Sequence, residues 1–404
     1  MVDGNEIICL TDKNKNCQTK RQTTKLDMKQ ITFSLVLAIC CLCTNRTEAQ
    51  TKWVGTWAAS AEFTGKPDMP HVSLAGKTIV QTIHASIGGN TLRLQLSNEF
   101  SKEAVEISEC KIENVRVKFG GKKKTTIEPG KTVFSDNISF ALKPLQRLNI
   151  SIKYGKQVPV NATSHRGSRT TTYIYEKVGT EAVDKVDHWY NIAALDVQDD
   201  NKYCVVCLGN SITDGRGSTT NEQNRWTDFL AEALNGEVGV INQGIGGNAV
   251  LQGGLSEPAV KRFDRDVMKM RGMKKLIIFE GVNDIGGQRP LSQEEEQAFV
   301  QRLTNTYKNF TEKAHNEGVK VYLATITPFK GNGYYNEQHD AIRNQVNEWI
   351  RTSSIADGIV DFDQLVRDKN KPEQLKAEFS DDWLHLNPKG YEAMGKFAAD
   401  IIMK

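Results

Sequence analysis

From residue 51 to about 195, apolar and polar residues alternate in short runs. From about 200 onward, wholly apolar runs alternate with stretches of helical period. In the first region, Ile79–Ile83, Thr91–Leu96, Val115–Phe119, Leu148–Lys153 and Thr171–Tyr175 have the two-residue period of half-buried strands. Gly88-Gly89-Asn90, Gly120-Gly121 and Pro129-Gly130 separate them as turns. Regularly spaced short strands of this kind predict a β-sandwich of jelly-roll type.

In the second region, Tyr203–Leu208 is continuously apolar, as in a strand buried on both faces of a parallel sheet. A helix is expected over 222–235, with Trp226, Phe229, Leu230 and Ala233 on its apolar stripe. Strand Val238–Asn242, a helix near 256–270 and strand Lys275–Phe279 follow. A long helix over 293–317 opens on Ser292 and Glu295 as a capping box and stops at Gly318. Strand Val319–Ala324, a helix near 337–353 and strand Ile359–Asp363 come next. Asn387-Pro388 opens the last helix, with proline at its first position. Strict alternation of strand and helix demands a parallel sheet with helices on both faces.

The residues before position 50 stand apart. Residues 31–43, ITFSLVLAICCLC, are apolar, follow Lys29 and lead into Thr44-Asn45-Arg46-Thr47-Glu48-Ala49. A bilayer span needs about 20 residues, and this run is shorter. A basic flank, a short apolar core and a small-residue exit describe a signal peptide at about 28–49, cleaved after Ala49. The expected organisation is a leader at 1–49, a β-sandwich domain at 50–195 and a catalytic domain at 196–404. Localisation is expected to be secreted or periplasmic, with no stable membrane insertion after cleavage. A lipoprotein acylated at Cys40, Cys41 or Cys43 ranks second, because Ile39, Cys40 and Leu42 are poor small-residue neighbours.

Composition adds mainly exclusions. The chain has 404 residues, 39% apolar and 25% charged, which is globular. Its net charge of +3 gives no electrostatic case for nucleic acid. Cys110, Cys204 and Cys207 remain after the leader, too few and odd in number for a disulfide framework. Cys204-Val205-Val206-Cys207 lies in a strand, where positions three apart face opposite ways, so core thiols are expected rather than a redox pair. No metal set has credible spacing, and neither metal nor organic cofactor is expected.

Four short segments carry chemistry. Ser211, in Gly209-Asn210-Ser211, follows the first parallel strand and sits where open α/β sheets bind ligands. A serine there is also an ordinary helix cap. His385, in Asp382-Trp383-Leu384-His385, precedes the last helix, and Asp382 is one turn upstream with Asp381 its competitor. A hydroxyl becomes a nucleophile when a neutral histidine, oriented by a carboxylate, takes its proton. Asn283, in Gly281-Val282-Asn283-Asp284, and Gly247, in Gly244-Ile245-Gly246-Gly247, can supply N–H donors to an oxyanion. Taken singly, each reads equally well as a turn or a loop.

Together these blocks resemble the SGNH (GDSL-like) hydrolases, over about 200–404. The resemblance implies a flavodoxin-like three-layer fold with strand order 2-1-3-4-5. It implies Ser211 as nucleophile, His385 as base and Asp382 as its orienter, with an oxyanion hole from Ser211, Gly247 and Asn283. Trp53–Ser60, Ser86–Arg93 and Leu96–Phe100 look like the β-domain of some secreted members. The family usually has aspartate at the position of Asn210, which keeps the shape and loses the charge.

The implied function is a secreted serine esterase that cleaves small acyl esters, chiefly acetyl, of an acylated small molecule or glycan. Trp189, Tyr190, Tyr334 and Tyr335 are aromatic candidates for sugar contact, or else core residues. Two rivals stand beside it. Gly244-Ile245-Gly246-Gly247-Asn248-Ala249 with Asp264 about twenty residues on fits a dinucleotide fingerprint. A noncatalytic carbohydrate-binding protein would explain Asn210 as a mark of lost catalysis.

Overall fold

The five-stranded parallel sheet is built around Cys204–Gly209, whose six residues are all buried. Layers cover both faces of this strand, which is why its sequence lacks alternation. In chain order the five strands are Cys204–Gly209, Gly239–Gly244, Met273–Phe279, Lys320–Ala324 and Gly358–Val360. Their order across the sheet is 2-1-3-4-5, and every neighbouring pair is parallel. The computed structural model describes residues 52–404. The expected leader, its cleavage point and the three lipidation candidates lie outside them. Among the described residues, no helix is long and apolar enough to cross a membrane.

Most helices lie where the periodicity places them. Gln293–Asn316 is capped by Ser292 and Glu295 in the reciprocal box, and Gly318 follows its end at φ +68. Glu337–Thr352 follows Asn336, and Pro388–Ile402 follows Asn387, each asparagine capping its helix. The helix expected over 222–235 is shorter, Trp226–Ala233. Asn221 and Gln223 have positive φ, which a right-handed helix excludes. Ala233 of the expected stripe faces solvent, and Ala231 is buried in its stead.

Two further elements differ. The helix expected near 256–270 is a five-residue helix, Ala259–Phe263, continued by a π-turn, Asp264–Met268. Before it, Gly253, Gly254 and Ser256 have positive φ and hold a loop. The last strand stops at Val360 rather than Asp363, because the Asp361 side chain accepts from Gln364 N and starts the helix Phe362–Val366.

The N-terminal half is antiparallel, arranged as sheets of five, seven and three strands. Thr78–His84, Gly89–Ser97 and Arg147–Tyr154 alternate buried and open positions as expected. Trp53–Ala58 pairs with Ile192–Gln198, so the first and last strands of this half meet. Among the described residues the cysteines are three buried free thiols, and burial pushes Cys110 and Cys204 up to about 12.

The antiparallel half packs against the parallel sheet, and residues 51–404 form one compact unit. Gly55 N donates to Arg271 O at 2.9 Å, and Val240 N donates to Ser86 Oγ at 2.8 Å. His84 meets Asp228 at 2.9 Å, and His165 Nε2 meets Asp214 Oδ1 at 2.8 Å. Arg262, wholly buried, reaches from the helical side to Ser60 Oγ, to Gln243 O and to Gly209 O.

Candidate active site

Strand registry places the expected site residues along one edge. Gly209 pairs with Gly244 on one side and Phe279 on the other. Ser211, Gly247 and Asn283 follow these three strand ends by two, three and four residues. All three therefore emerge at the carboxyl edge of adjacent strands.

Asn210 ends the first strand with extended backbone, and its Oδ1 accepts from Ile212 N at 3.1 Å. This cap starts the turn of helix Ser211–Asp214, with Ser211 at its first position. The Asn210 amide donates to Glu280 Oε2 at 3.2 Å. Burial pushes the Glu280 carboxyl up to about 8, against the pull of Arg262 nearby. An aspartate at 210 would set a second carboxyl group against Glu280, and the pair would have to hold a proton between them. An amide suits this buried setting, and it leaves the Ser211 turn formed.

Ser211 Oγ is 2.8 Å from His385 Nε2, and His385 Nδ1 is 2.6 Å from Asp382 Oδ2. The other Asp382 oxygen accepts from Leu384 N at 3.0 Å and His385 N at 2.8 Å. Trp383 takes φ +62 to close this turn, and Asn332 donates to Asp382 O at 3.0 Å. Asp381 is exposed, and the imidazole pairs with Asp382 instead.

Burial is the largest influence on His385 and lowers its pKa from the ordinary 6.5. The Asp382 bond and charge pull it up, and Arg216 and Arg169 push it down again. Burial pushes the Asp382 carboxyl up, but hydrogen bonds from the ring and backbone of His385 outweigh this and hold it low. At neutral pH the imidazole is neutral and the carboxylate charged. Asp382 accepts the Nδ1 proton, so Nε2 is free to accept from the serine hydroxyl.

The Asn283 amide is held from both ends. Its Nδ2 donates to Asn248 O at 2.8 Å, and its Oδ1 accepts from Tyr334 OH at 2.9 Å. The tyrosine hydroxyl fixes which way the amide faces, and an amide nitrogen keeps a second N–H to give. Asp284, one residue on, accepts from Val250 N at 2.7 Å and Leu251 N at 2.9 Å. It thereby ties the Gly247 loop to the Asn283 turn. Gly247 has φ +68, the left-handed region that a side chain disfavours. Its carbonyl accepts from Leu255 N, and its N–H donates to no backbone acceptor among the described residues.

Tyr334 and Asp284 hold the site together in ways the sequence did not assign to them. Tyr334 was marked only as an aromatic, and its partner is 51 residues away. Trp189 and Tyr190 are not available to a sugar. They are 5% and 0% exposed, and Trp189 packs edge-on against Trp57. Tyr334 and Tyr335 are half-buried. The dinucleotide reading fails on geometry. Gly244–Gly247 opens a loop rather than a helix, the next helix starts at Ala259, and Asp264 pairs with Lys313.

Residues 207–393 match the family described as GDSL-like Lipase/Acylhydrolase. The chain is similar to the uncharacterized lipoprotein YqeF of Bacillus subtilis (strain 168), with 28% identity over 210 residues, 48% of this chain and 75% of that protein. Among solved structures it is similar to a GDSL-like lipase from Bacteroides thetaiotaomicron VPI-5482, at 21% identity and TM-score 0.37, covering 50% of this chain and 86% of that one. It is also similar to the acetyl xylan esterase AlAXEase, at 22% identity and TM-score 0.37, covering 49% and 98%. A third is Est24, a carbohydrate acetylesterase from Sinorhizobium meliloti, at 16% identity and TM-score 0.37, covering 49% and 97%.

Proposed function

We propose that the chain, whose residues 207–393 match the GDSL-like lipase/acylhydrolase family, is a carboxylic ester hydrolase that removes small acyl groups, chiefly acetyl, from carbohydrate through Ser211, His385 and Asp382. The observation that carries this reading is the unbroken hydrogen-bonded path from Ser211 Oγ through His385 to Asp382. A flavodoxin-like layering of the parallel sheet, with the antiparallel half as a separate β-sandwich domain, belongs to the same proposal.

The geometry supports the following steps. Ser211 Oγ attacks the acyl carbon while its proton passes to His385 Nε2, and Asp382 stabilises the imidazolium. The carbonyl oxygen becomes an oxyanion that accepts from Ser211 N–H, Gly247 N–H and the Asn283 amide. The C–O bond to the alcohol then breaks, and His385 returns the proton to the alcohol oxygen. Water, deprotonated by His385, attacks the acyl-serine, and the carboxylic acid leaves as Ser211 regains its proton.

Asn210 was the reason to consider a noncatalytic protein. It caps the nucleophile turn and leaves the Ser–His–Asp path intact. The proposed location is outside the cytoplasm, by way of the leader, and a relative named as a lipoprotein keeps the acylated form beside the cleaved one.

Acetate release from acetylated oligosaccharides tests the substrate. Release well above that from an acetylated lipid alcohol is expected. Turnover of p-nitrophenyl acetate with none of the carbohydrate esters would overturn the carbohydrate assignment. Asn283→Ala is expected to lower kcat about 10²–10³-fold with little change in KM, because the oxyanion exists only past the ground state. An unchanged kcat would remove Asn283 from the oxyanion hole.

A further inference from the structure

Gly247 offers its N–H from a turn that can be built two ways. Asn248 N donates to Ile245 O at 3.2 Å, so Gly246 and Gly247 are the central pair of a four-residue turn. Gly247 at φ +68 gives the form whose third residue is left-handed. In the commoner form that residue has negative φ, and the peptide between the central pair is turned over. The N–H of Gly247 belongs to that peptide, so the flip would point it away from the forming oxyanion. Two glycines allow both forms, because neither carries a Cβ to choose between them. The choice falls to whatever holds the turn from outside.

Leu255 is the first such hold. Its N–H donates to Gly247 O at 2.8 Å, and its side chain lies so close that a Cβ on Gly247 would be 2.9 Å from Leu255 Cδ1. Leu255 itself is 56% exposed and follows Gly253 and Gly254, both at positive φ. The Asn248 side chain binds the carbonyls of Leu255 and Glu257, which closes the loop on itself. Between those carbonyls Ser256 takes φ +63, and its hydroxyl leaves the loop for the antiparallel half. Ser256 Oγ donates to Glu62 Oε1 at 2.6 Å and accepts from Arg166 Nη2 at 3.0 Å.

The antiparallel half assembles that receptor by itself. Glu62 is buried, on strand Glu62–Thr64, which pairs with Ala162–His165. Arg166 follows the second strand and clasps the carboxylate, with its backbone N–H at 2.9 Å from Oε2 and Nη2 at 2.9 Å from Oε1. Burial pushes the Glu62 carboxyl up, but the charge of His165, the Ser256 bond and Arg166 outweigh this and hold it low. Among the described residues, Ser256 is the one side-chain partner that Glu62 and Arg166 have in the parallel-sheet half. Burying charge is costly, and here it reaches across the halves to one hydroxyl, on the loop that holds Gly247.

Resting on the esterase reading above, we propose that Glu62 and Arg166 are positioning residues of the oxyanion hole: by gripping Ser256 they keep Leu255 on the Gly247 carbonyl, and so keep the Gly247 N–H turned toward the oxyanion. The antiparallel half is then a working part of the catalytic device.

The test measures kcat and KM on p-nitrophenyl acetate in Ser256→Ala and Ser256→Gly. Both remove the hydroxyl, and glycine suits φ +63 better than serine does. Each is expected to lower kcat about tenfold, the scale of one hydrogen bond to a charged group. KM should change little, because the oxyanion exists only past the ground state. Affinity for phenyl trifluoromethyl ketone, which adds to a serine as a tetrahedral oxyanion, should fall by the same factor. Glu62→Gln should lower kcat in the wild type and cost nothing further in Ser256→Ala, since the two act as one unit. Wild-type kcat in Ser256→Gly, or a loss in KM alone, overturns the clamp. A Glu62→Gln loss of equal size in both backgrounds overturns it too, and the Ser256 variants decide the matter if Glu62→Gln does not fold. Wild-type turnover no faster than that of Ser211→Ala would instead overturn the esterase reading, and the clamp with it.

Discussion

Replacing Ser211 with alanine is expected to lower kcat on p-nitrophenyl acetate by about 10⁶, the scale at which removing a nucleophile disables the whole hydrogen-bonded unit. The fold should persist. Ser211 Oγ makes one side-chain hydrogen bond, to His385, and the cap that forms the turn belongs to Asn210. Thermal unfolding recorded beside the kinetics separates lost chemistry from lost structure. A folded variant that keeps more than a thousandth of the wild-type rate would place the nucleophile elsewhere.

Asp382→Asn is expected to cost about 10⁴ in kcat, by unsettling the imidazole tautomer rather than removing the base. The variant carries a second signature. In the wild type the acid limb of kcat/KM should lie below pH 6.5, because the His385 pKa is lowered from that value. The Asp382 bond and charge act on His385 in the raising direction. Without them the imidazolium is less stable, so the limb should move to still lower pH as the plateau falls. A variant that is merely misfolded would lose rate without moving the limb. A small loss with an unmoved limb would show that Ser211 and His385 work as a dyad.

The parallel sheet was legible because burial on both faces leaves a plain mark. Cys204–Gly209 has nothing polar to interrupt it, and the long helix carries its own start and stop in Ser292, Glu295 and Gly318. The helix expected near 256–270 starts only at Ala259, because the conformation of the residues before it serves Asn248. That side chain donates to Leu255 O and Glu257 O and accepts from Arg262 Nε, partners that no local period announces. The aromatic pair Trp189 and Tyr190 looked exposed because the residues that bury it come from distant strands. Trp189 Nε1 donates to Thr82 O across 107 residues. The residues proposed to react could be read from short blocks, since each block holds its own turn. The residues that aim them, Tyr334 above all, act through space alone.

The buried guanidinium of Arg262 also has a bearing on ancestry. It joins Ser60, from the antiparallel half, to the carbonyls of Gly209 and Gln243 beneath the Ser211 turn. A buried donor left without its partner costs about 1–3 kcal/mol. A lineage that shed the antiparallel half would keep the contacts of this arginine to Asp266 and Glu280 but lose the one to Ser60. Among descendants that keep both halves, drift at position 60 should therefore track drift at position 262.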